Sequence, residues 1–377
     1  MSEIKIRKVE NDSDKNKFIN LPWKIYEDYP NWVPPLKFDV KNNLNPDKNP
    51  FFTHADVELY LAEIDGKLVG RIGAIVNHNH NKFYNDKVGF FGFFECINDK
   101  KVSRALFDTA YKFLKDKGMD TVRGPVNPST NDECGLLIDS FDSPPVLLMT
   151  YNPPYYIDLI EDYGFSKVKD LLALYIPKEV INNEAKMAQL ERISNMVKKR
   201  ENITIRNVNL KDFDNEVQRI REIYNNAWED NWGFVPMTED EFKYIAKALK
   251  PIAVEDFIVF AEANGKPIGF SLALPDFNQV LHKMNGTLFP TGIFKLLYYK
   301  GKIDLLRVII MGVNKEYHKK GIDAIFYQDI IKAGNRNGYK GAEISWVLED
   351  NYAMKQTSEK LGAHVYKTYR IYDKPIK

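Results

Sequence analysis

Between Gly124 and Tyr156 the chain packs Asn127, Ser129, Thr130, Asn131, Asp132, Glu133 and Cys134 into eight positions. Ser143-Pro144-Pro145 and Tyr151-Asn152-Pro153-Pro154-Tyr155-Tyr156 follow. Prolines hold such a loop in shape, while the amides, hydroxyls and carboxylates form a dense hydrogen-bonding set. Long polar loops inside compact domains are often functional. Asn127, Ser129, Asn131, Asp132, Glu133 and Tyr155 are therefore candidates for binding a substrate, with Glu95 and Tyr156 beside them. The plainer reading is a loop that satisfies its own backbone. A second constellation is Lys319-Lys320-Gly321-Ile322, which opens a helical pattern. A helix start offers unpaired N–H groups and a partial positive charge, and glycine lets a pyrophosphate approach the main chain. Asp323 stands in the first turn, where a carboxylate competes for the same N–H groups. A third is Glu343, which shares one strand face with Ser345, Val347 and Glu349 and is a candidate general base. Tyr366 and Tyr369 lie on the strand that follows.

Weaker constellations fall away on spacing. His54, His78 and His80 match no common zinc pattern, so no metal is expected. Cys134 lacks an identifiable base partner for thiol chemistry. Cys96 and Cys134 are the only cysteines, too few for a disulfide framework, and point to a reducing compartment. Net charge is +1, which provides no global field for nucleic acid and disfavours an aminoacyl-tRNA donor. The N-terminal stretch from Met1 lacks an apolar leader core. The most apolar region, 286–313, is broken by Pro290, Lys295, Lys300, Lys302, Asp304 and Arg307, so no membrane span is expected. A cytoplasmic protein is the expectation, and nothing excludes a homodimer.

The elements that must position these residues come twice. Ile4-Lys5-Ile6-Arg7-Lys8-Val9 is echoed by Ile203-Thr204-Ile205-Arg206-Asn207-Val208. Asn31-Trp32-Val33-Pro34 is echoed by Asn231-Trp232-Gly233-Phe234-Val235-Pro236, and the run 62–70 by 261–269. A period this long argues a duplicated domain, not a repeat array. The expected domains are 1–180 and 203–377, joined by a connecting helix or linker over 181–202. Each half reads β-α-α-β-β-β-α-β-α-β, with hairpins around Asp65-Gly66 and Asn264-Gly265. The first helix is expected from Asp12 or Ser13 to about Asp28. An insertion over 276–304 has no counterpart in the first half, and its apolar run 293–299 is a candidate for covering or lining an apolar pocket.

This element order resembles the GNAT N-acyltransferase superfamily, in two copies that cover nearly the whole chain. Arg307-Val308-Ile309-Ile310-Met311-Gly312-Val313 with His318-Lys319-Lys320-Gly321-Ile322-Asp323-Ala324 is similar to that family's core strand, turn and acyl-CoA-binding helix. The strand from Ala342 to Asn351 and the helix closed by Gly362 fit the same pattern. The run Gly124 to Gly135 resembles one found in bacterial proteins assigned to the superfamily. The resemblance implies an α/β fold of two tandem domains, each a mixed, mostly antiparallel sheet flanked by helices. It implies acetyl-CoA or another acyl-CoA as co-substrate, held by Met311, Gly312, Val313, Lys319, Lys320, Gly321, Ile322 and Asn351. It further implies an amine acceptor, Glu343 and Tyr366 as the catalytic pair, and a diverged first half on the substrate side. Ser358 stands where the family often has a tyrosine acid, and Asp323 where it prefers a small residue. The rival reading, a catalytically silent tandem fold that binds a small molecule or partner, rests on those two departures.

Overall fold

The computed structural model describes residues 3–377. Met1 and Ser2, which begin the stretch read above for a leader, lie outside them. The chain opens with β1 (Ile4–Lys8), α1 (Asp12–Asn20), α2 (Pro22–Ile25) and α3 (Lys37–Asn43). Next come the hairpin β2 (Ala55–Ile64) and β3 (Lys67–Asn77), then α4 (His78–Tyr84) and β4 (Val88–Cys96). The helix α5 (Lys100–Asp116) precedes β5 (Thr121–Gly124) and three two-residue strands, β6 (Val126–Asn127), β7 (Glu133–Cys134) and β8 (Leu136–Leu137). After them run α6 (Tyr156–Asp162), β9 (Ser166–Pro177), α7 (Lys178–Ile181), α8 (Glu184–Glu201) and β10 (Ile203–Asn207). The later part holds α9 (Phe213–Trp228), α10 (Glu239–Leu249), β11 (Ile258–Ala263), β12 (Lys266–Pro275), α11 (Asn278–Met284) and α12 (Gly292–Tyr299). It closes with β13 (Leu305–Val313), α13 (Ile322–Arg336), β14 (Gly341–Leu348), α14 (Tyr352–Leu361) and β15 (His364–Pro375).

Two compact units result. Unit 1 takes in the chain up to Leu171 together with Leu281–Leu296 and Lys367–Lys377. Its sheet runs β1-β2-β3-β4-β5, antiparallel as far as β4 and parallel from β4 to β5, and is continued by the end of β15. Arg123 grips Asp373 at 2.8 and 2.7 Å, and Arg370 grips Asp170 at 2.8 and 3.1 Å, so two bidentate ion pairs fasten the C-terminal strand. The helix α5 lays Val102, Leu106, Ala110 and Leu114 on the sheet at helical spacing. Burying each large apolar side chain contributes roughly 1.5–3 kcal/mol, more than its N-cap does, so packing holds this helix.

Unit 2 takes in Leu172–Val280 and Leu297–Tyr366. Its sheet order is β14-β13-β12-β11-β10, parallel between β14 and β13 and antiparallel elsewhere. One face is covered by α13 and α8 through Ile322, Phe326, Ile330, Leu190 and Val197. The other is covered by α9 and α10 through Val217, Ile220, Ile223 and Phe242. The duplication is visible atom by atom. Ile4 faces Ile64 as Ile203 faces Ala263, and the register slips at Ala62/Glu63 as it does at Ala261/Glu262. Arg7 Nε donates to Glu63 at 2.8 Å, and Arg206 Nε to Glu262 at 2.6 Å.

Three local expectations change. The first helix breaks into α1 and α2, because Pro22 has no N–H to continue the ladder. The connecting segment 181–202 forms a helix as expected but is counted within unit 2, where α8 buries Leu190, Ser194 and Val197. Part of the insertion belongs to unit 1, where Gly286 O accepts from Lys37 N at 3.0 Å and Asn285 Oδ1 from Trp23 Nε1 at 3.1 Å. Among the described residues no helix is long and apolar enough to cross a membrane. No group of three or more His, Cys, Asp or Glu there could hold a metal ion. Cys96 and Cys134 are buried and do not form a disulfide.

His80 in α4 supplies a pH test. Its ring packs 4.7 Å from Tyr84 and 4.9 Å from Phe90, with Asp86 at 3.5 Å. Burial, aided by Arg123, pushes the imidazole down to about 4. The unfolded chain therefore takes up the proton first, and stability present above pH ~6.5 is lost as pH falls toward ~4. The loss should be on the order of 2 kcal/mol by pH 5. Urea unfolding at pH 7 and pH 5 checks it: the gap between wild type and His80→Phe should change by that amount. A gap independent of pH would show that His80 is not the titrating group.

Candidate functional site

The core strand of unit 2 is paired on one edge and abandoned on the other. β13 and β14 are in register only over Leu305–Val308 and Gly341–Ile344, although both strands continue beyond. On the other edge Met311, Gly312 and Val313 face Ser271, Phe270 and Gly269 of β12. There the register slips between Leu272 and Ala273, leaving Ile309 as an extra residue on β13. Such bulges re-aim the chain and gather next to active sites. Past Ile309 the edge of β13 that β14 leaves has no ladder partner in that strand, so its main-chain groups can serve a ligand. The Val313 carbonyl accepts from His318 Nε2 at 3.0 Å, which places the proton on that ring nitrogen.

The turn after β13 ends at Gly321, the N-cap of α13, whose φ of 82° lies in the left-handed region. Any side chain there is strained, which accounts for the glycine. No side chain caps the helix start, Asp323 included. Ala324 N donates to Gly321 O at 3.2 Å, while the N–H groups of Ile322 and Asp323 meet no side-chain cap, and Lys319 is exposed beside them. Lys320 is partly engaged: its ammonium lies 3.3 Å from Glu201 and its carbonyl accepts from Arg200 at 2.6 Å.

On the face of the sheet opposite α13 runs a strip of buried polar groups. Arg307 is 4% exposed, Ser345 2% and Glu343 0%. Arg307 faces Glu343 in the parallel register and donates to Ser345 Oγ at 3.0 Å and to Ser345 O at 3.2 Å. Tyr366 donates its hydroxyl to Glu343 Oε2 in a very short hydrogen bond. A carboxylate this deep needs such partners, because an isolated buried charge is strongly disfavoured. The half-buried tyrosine is its link toward the surface.

Unit 1 has the same frame with its openings filled. β4 and β5 pair over Val88–Phe90 and Thr121–Arg123, and β4 then bulges at Phe93–Phe94. Here β6 crosses so near that a Cβ on Gly92 would stand 1.7 Å from the Val126 carbonyl oxygen. The N–H freed at Phe93 donates to Asn127 Oδ1 at 2.6 Å. The helix start is also closed, since Asp99 caps α5 by accepting from Lys101 N at 2.8 Å. Deeper in, Glu95 accepts from Tyr156 at 2.7 Å and lies 3.4 Å from Arg71, and burial raises its pKa.

These paired frames are matched in known proteins. No family model matches the chain. A solved tandem GNAT protein from the clavulanic acid biosynthesis pathway covers 100% of this chain and 99% of its own, with TM-score 0.59. At 11% identity that likeness concerns the fold alone. Protein YghO of Escherichia coli (strain K12) is 36% identical over 377 residues, 98% of this chain and 95% of its own. The bacterial ceramide synthase of Caulobacter vibrioides (strain NA1000 / CB15N) is 34% identical over 386 residues, 100% of this chain and 98% of its own. The chain belongs to the family of Protein YghO and the Caulobacter ceramide synthase, and its fold is that of a tandem GNAT protein.

Within this tandem GNAT fold the predicted residues separate into two groups. Met311, Gly312, Val313, Lys319, Lys320, Gly321 and Ile322 gather where β13 ends and α13 begins. Glu343 and Tyr366 meet directly. Asn351 is spent capping α14, accepting from Met354 N at 3.2 Å. Ser358 is buried and shares a 2.8 Å hydrogen bond with Tyr327, whose hydroxyl is held well above the usual range by burial. The substrate candidates all lie in unit 1. Asn127 faces Glu133 across the β6–β7 hairpin, and Ser129 donates to Asp132 at 2.6 Å and accepts from Asn131 N at 3.1 Å. Tyr155 donates to the Cys96 carbonyl at 2.8 Å. Sequence reasoning did not single out Arg307, Ser345, His318 or Asp99. Arg307 carries a signal, as a lone charge within an otherwise apolar strand.

The plugged N–H yields a test. Asn127→Ala should cost about 1–3 kcal/mol in urea unfolding, because it leaves the Phe93 N–H without its acceptor. Asn127→Asp, which keeps an acceptor oxygen, should restore most of that loss. Equal stability of the alanine variant would remove Asn127 from this role.

Proposed function

We propose that the protein N-acylates a long-chain amino alcohol, using acyl-CoA as donor and unit 2 as the transfer site. The observation that carries this reading is the contrast between units. Unit 2 leaves its bulged strand edge and glycine turn open, whereas unit 1 fills both with Asn127 and Asp99. The name of the Caulobacter relative supports this acceptor class, since a ceramide is an N-acylated long-chain amino alcohol.

Each part has a chemical task. The N–H groups at Ile322 and Asp323, with Lys319 and Lys320, hold the pyrophosphate of the donor. Main-chain groups along Met311–Val313 hold the acyl-bearing arm, and an N–H on that edge polarises the thioester carbonyl. The amine nitrogen attacks that carbon, the carbon–sulfur bond breaks, and the thiolate leaves to be reprotonated. Glu343 holds the amine's proton in transit, and an equivalent proton passes through solvent to the thiolate, so that amide and free thiol are the products. The bond that Glu343 accepts from Tyr366 lets the phenol oxygen take the amine's proton as its own passes to the carboxylate.

Thermal shift with acetyl-CoA and with a long-chain acyl-CoA tests donor binding. At a hundred times the dissociation constant, binding should add ~2.7 kcal/mol to stability. Gly321→Glu should abolish the shift, because it strains the turn and puts a carboxylate in the anion seat. No shift with either donor would favour the catalytically silent reading. Tyr366→Phe should keep the shift yet lower turnover about 10²–10⁴-fold with a long-chain amino alcohol. Unchanged turnover in that variant would overturn the proton route.

A further inference from the structure

The insertion carries a surface that neither unit uses for folding. Four of the eleven large hydrophobic side chains exposed among the described residues fall within ten positions: Phe289, Phe294, Leu297 and Tyr298, at 72, 71, 57 and 63% exposure. Soluble surfaces tolerate scattered apolar residues, but a contiguous cluster marks an interaction site. Phe294, Leu297 and Tyr298 are spaced i, i+3, i+4 on α12 and so form one stripe. The opposite side of that helix is turned inward through Gly292, Ile293 and Leu296.

Charge identifies the occupant. From 277 to 303 there are four lysines, Lys283, Lys295, Lys300 and Lys302, and no acidic residue, in a chain whose net charge is only +1. Lys302 Nζ stands 3.5 Å from the Tyr298 ring centroid, so a cation sits at the edge of the aromatic stripe. Lys295 is turned back to Lys283 O at 2.7 Å, fastening the base of the helix. An apolar and aromatic stripe bordered by lysines, without acids, suits insertion at the boundary of a bilayer whose headgroups are anionic. A protein partner would have to bring its own acidic rim to the same stripe, and nothing in the chain calls for one. We infer that α12 and the Phe289 turn dock the protein on an anionic lipid surface, with the stripe dipping into the headgroup boundary. This inference stands on the exposed face and its charge, independently of the acyl-transfer reading.

Co-sedimentation with vesicles tests it without any assay of turnover. Vesicles of phosphatidylcholine with about 30% phosphatidylglycerol should bind the full-length protein, and pure phosphatidylcholine should bind it far less. The triple variant Phe294→Ser/Leu297→Ser/Tyr298→Ser should weaken binding by about tenfold or more, with its melting temperature unchanged. Lys300→Glu/Lys302→Glu should weaken it by about tenfold as well, and wild-type binding should fall with salt. Met196→Ser, an exposed apolar position on α8, should bind as wild type does. Absence of wild-type binding, or equal binding by the triple variant, would overturn the proposal. So would analytical ultracentrifugation showing a dimer that the triple variant dissolves, since the stripe would then pair two copies of the chain.

Discussion

A β-strand cannot stop needing hydrogen bonds when its neighbour turns away. That constraint shapes both copies of this fold. In each, a parallel pair holds for three or four residues, a bulge intervenes, and the strands part. The main-chain groups left behind must be met by something, because a buried unpaired N–H costs about as much as a lost hydrogen bond. Unit 1 meets the need internally, with the Asn127 side chain and the close passage of Val126 over Gly92. Unit 2 makes no such provision from β14. The same covalent frame therefore closes on itself in one copy and leaves a strand edge unmet by its neighbour in the other.

The helix that follows each core strand repeats the lesson. Asp99 neutralises the helix start in unit 1 with its own carboxylate, whereas Gly321 leaves that start bare. One residue at one position decides whether a helix dipole is used up inside the protein or offered outward. The buried polar clusters diverged as well. Glu95 is enclosed with Arg71 and Tyr156, while Glu343 is reached through the half-buried Tyr366.

Much of this could be read in the residues. The hairpins at Asp65-Gly66 and Asn264-Gly265, the apolar strand Leu305–Val313 and the helices stopped by Gly118 and Gly362 follow from local spacing and turn chemistry, which act over a few residues. The GNAT-like fold, its two copies and the Gly321 turn were legible for the same reason. What escaped depends on partners far apart in sequence. Asn127 meets Phe93 across 34 positions, and a polar loop that plugs a gap has the same composition as one that binds a ligand. Arg307 faces Glu343 only once β13 and β14 are in register. The role of α8 was hidden by its charge, since three buried residues suffice to seat a helix that is otherwise polar. The break at Pro22 was a local signal outweighed by the helical pattern around it.

Residues 367–377 complete the sheet of unit 1, and two bidentate arginine pairs hold them there. The ribosome releases that stretch only after the residues of unit 2 have emerged. Multidomain proteins generally fold their N-terminal portion first, while synthesis continues. In this chain the first copy must wait for residues made after the second, so the older end of the nascent polypeptide is the later one to mature.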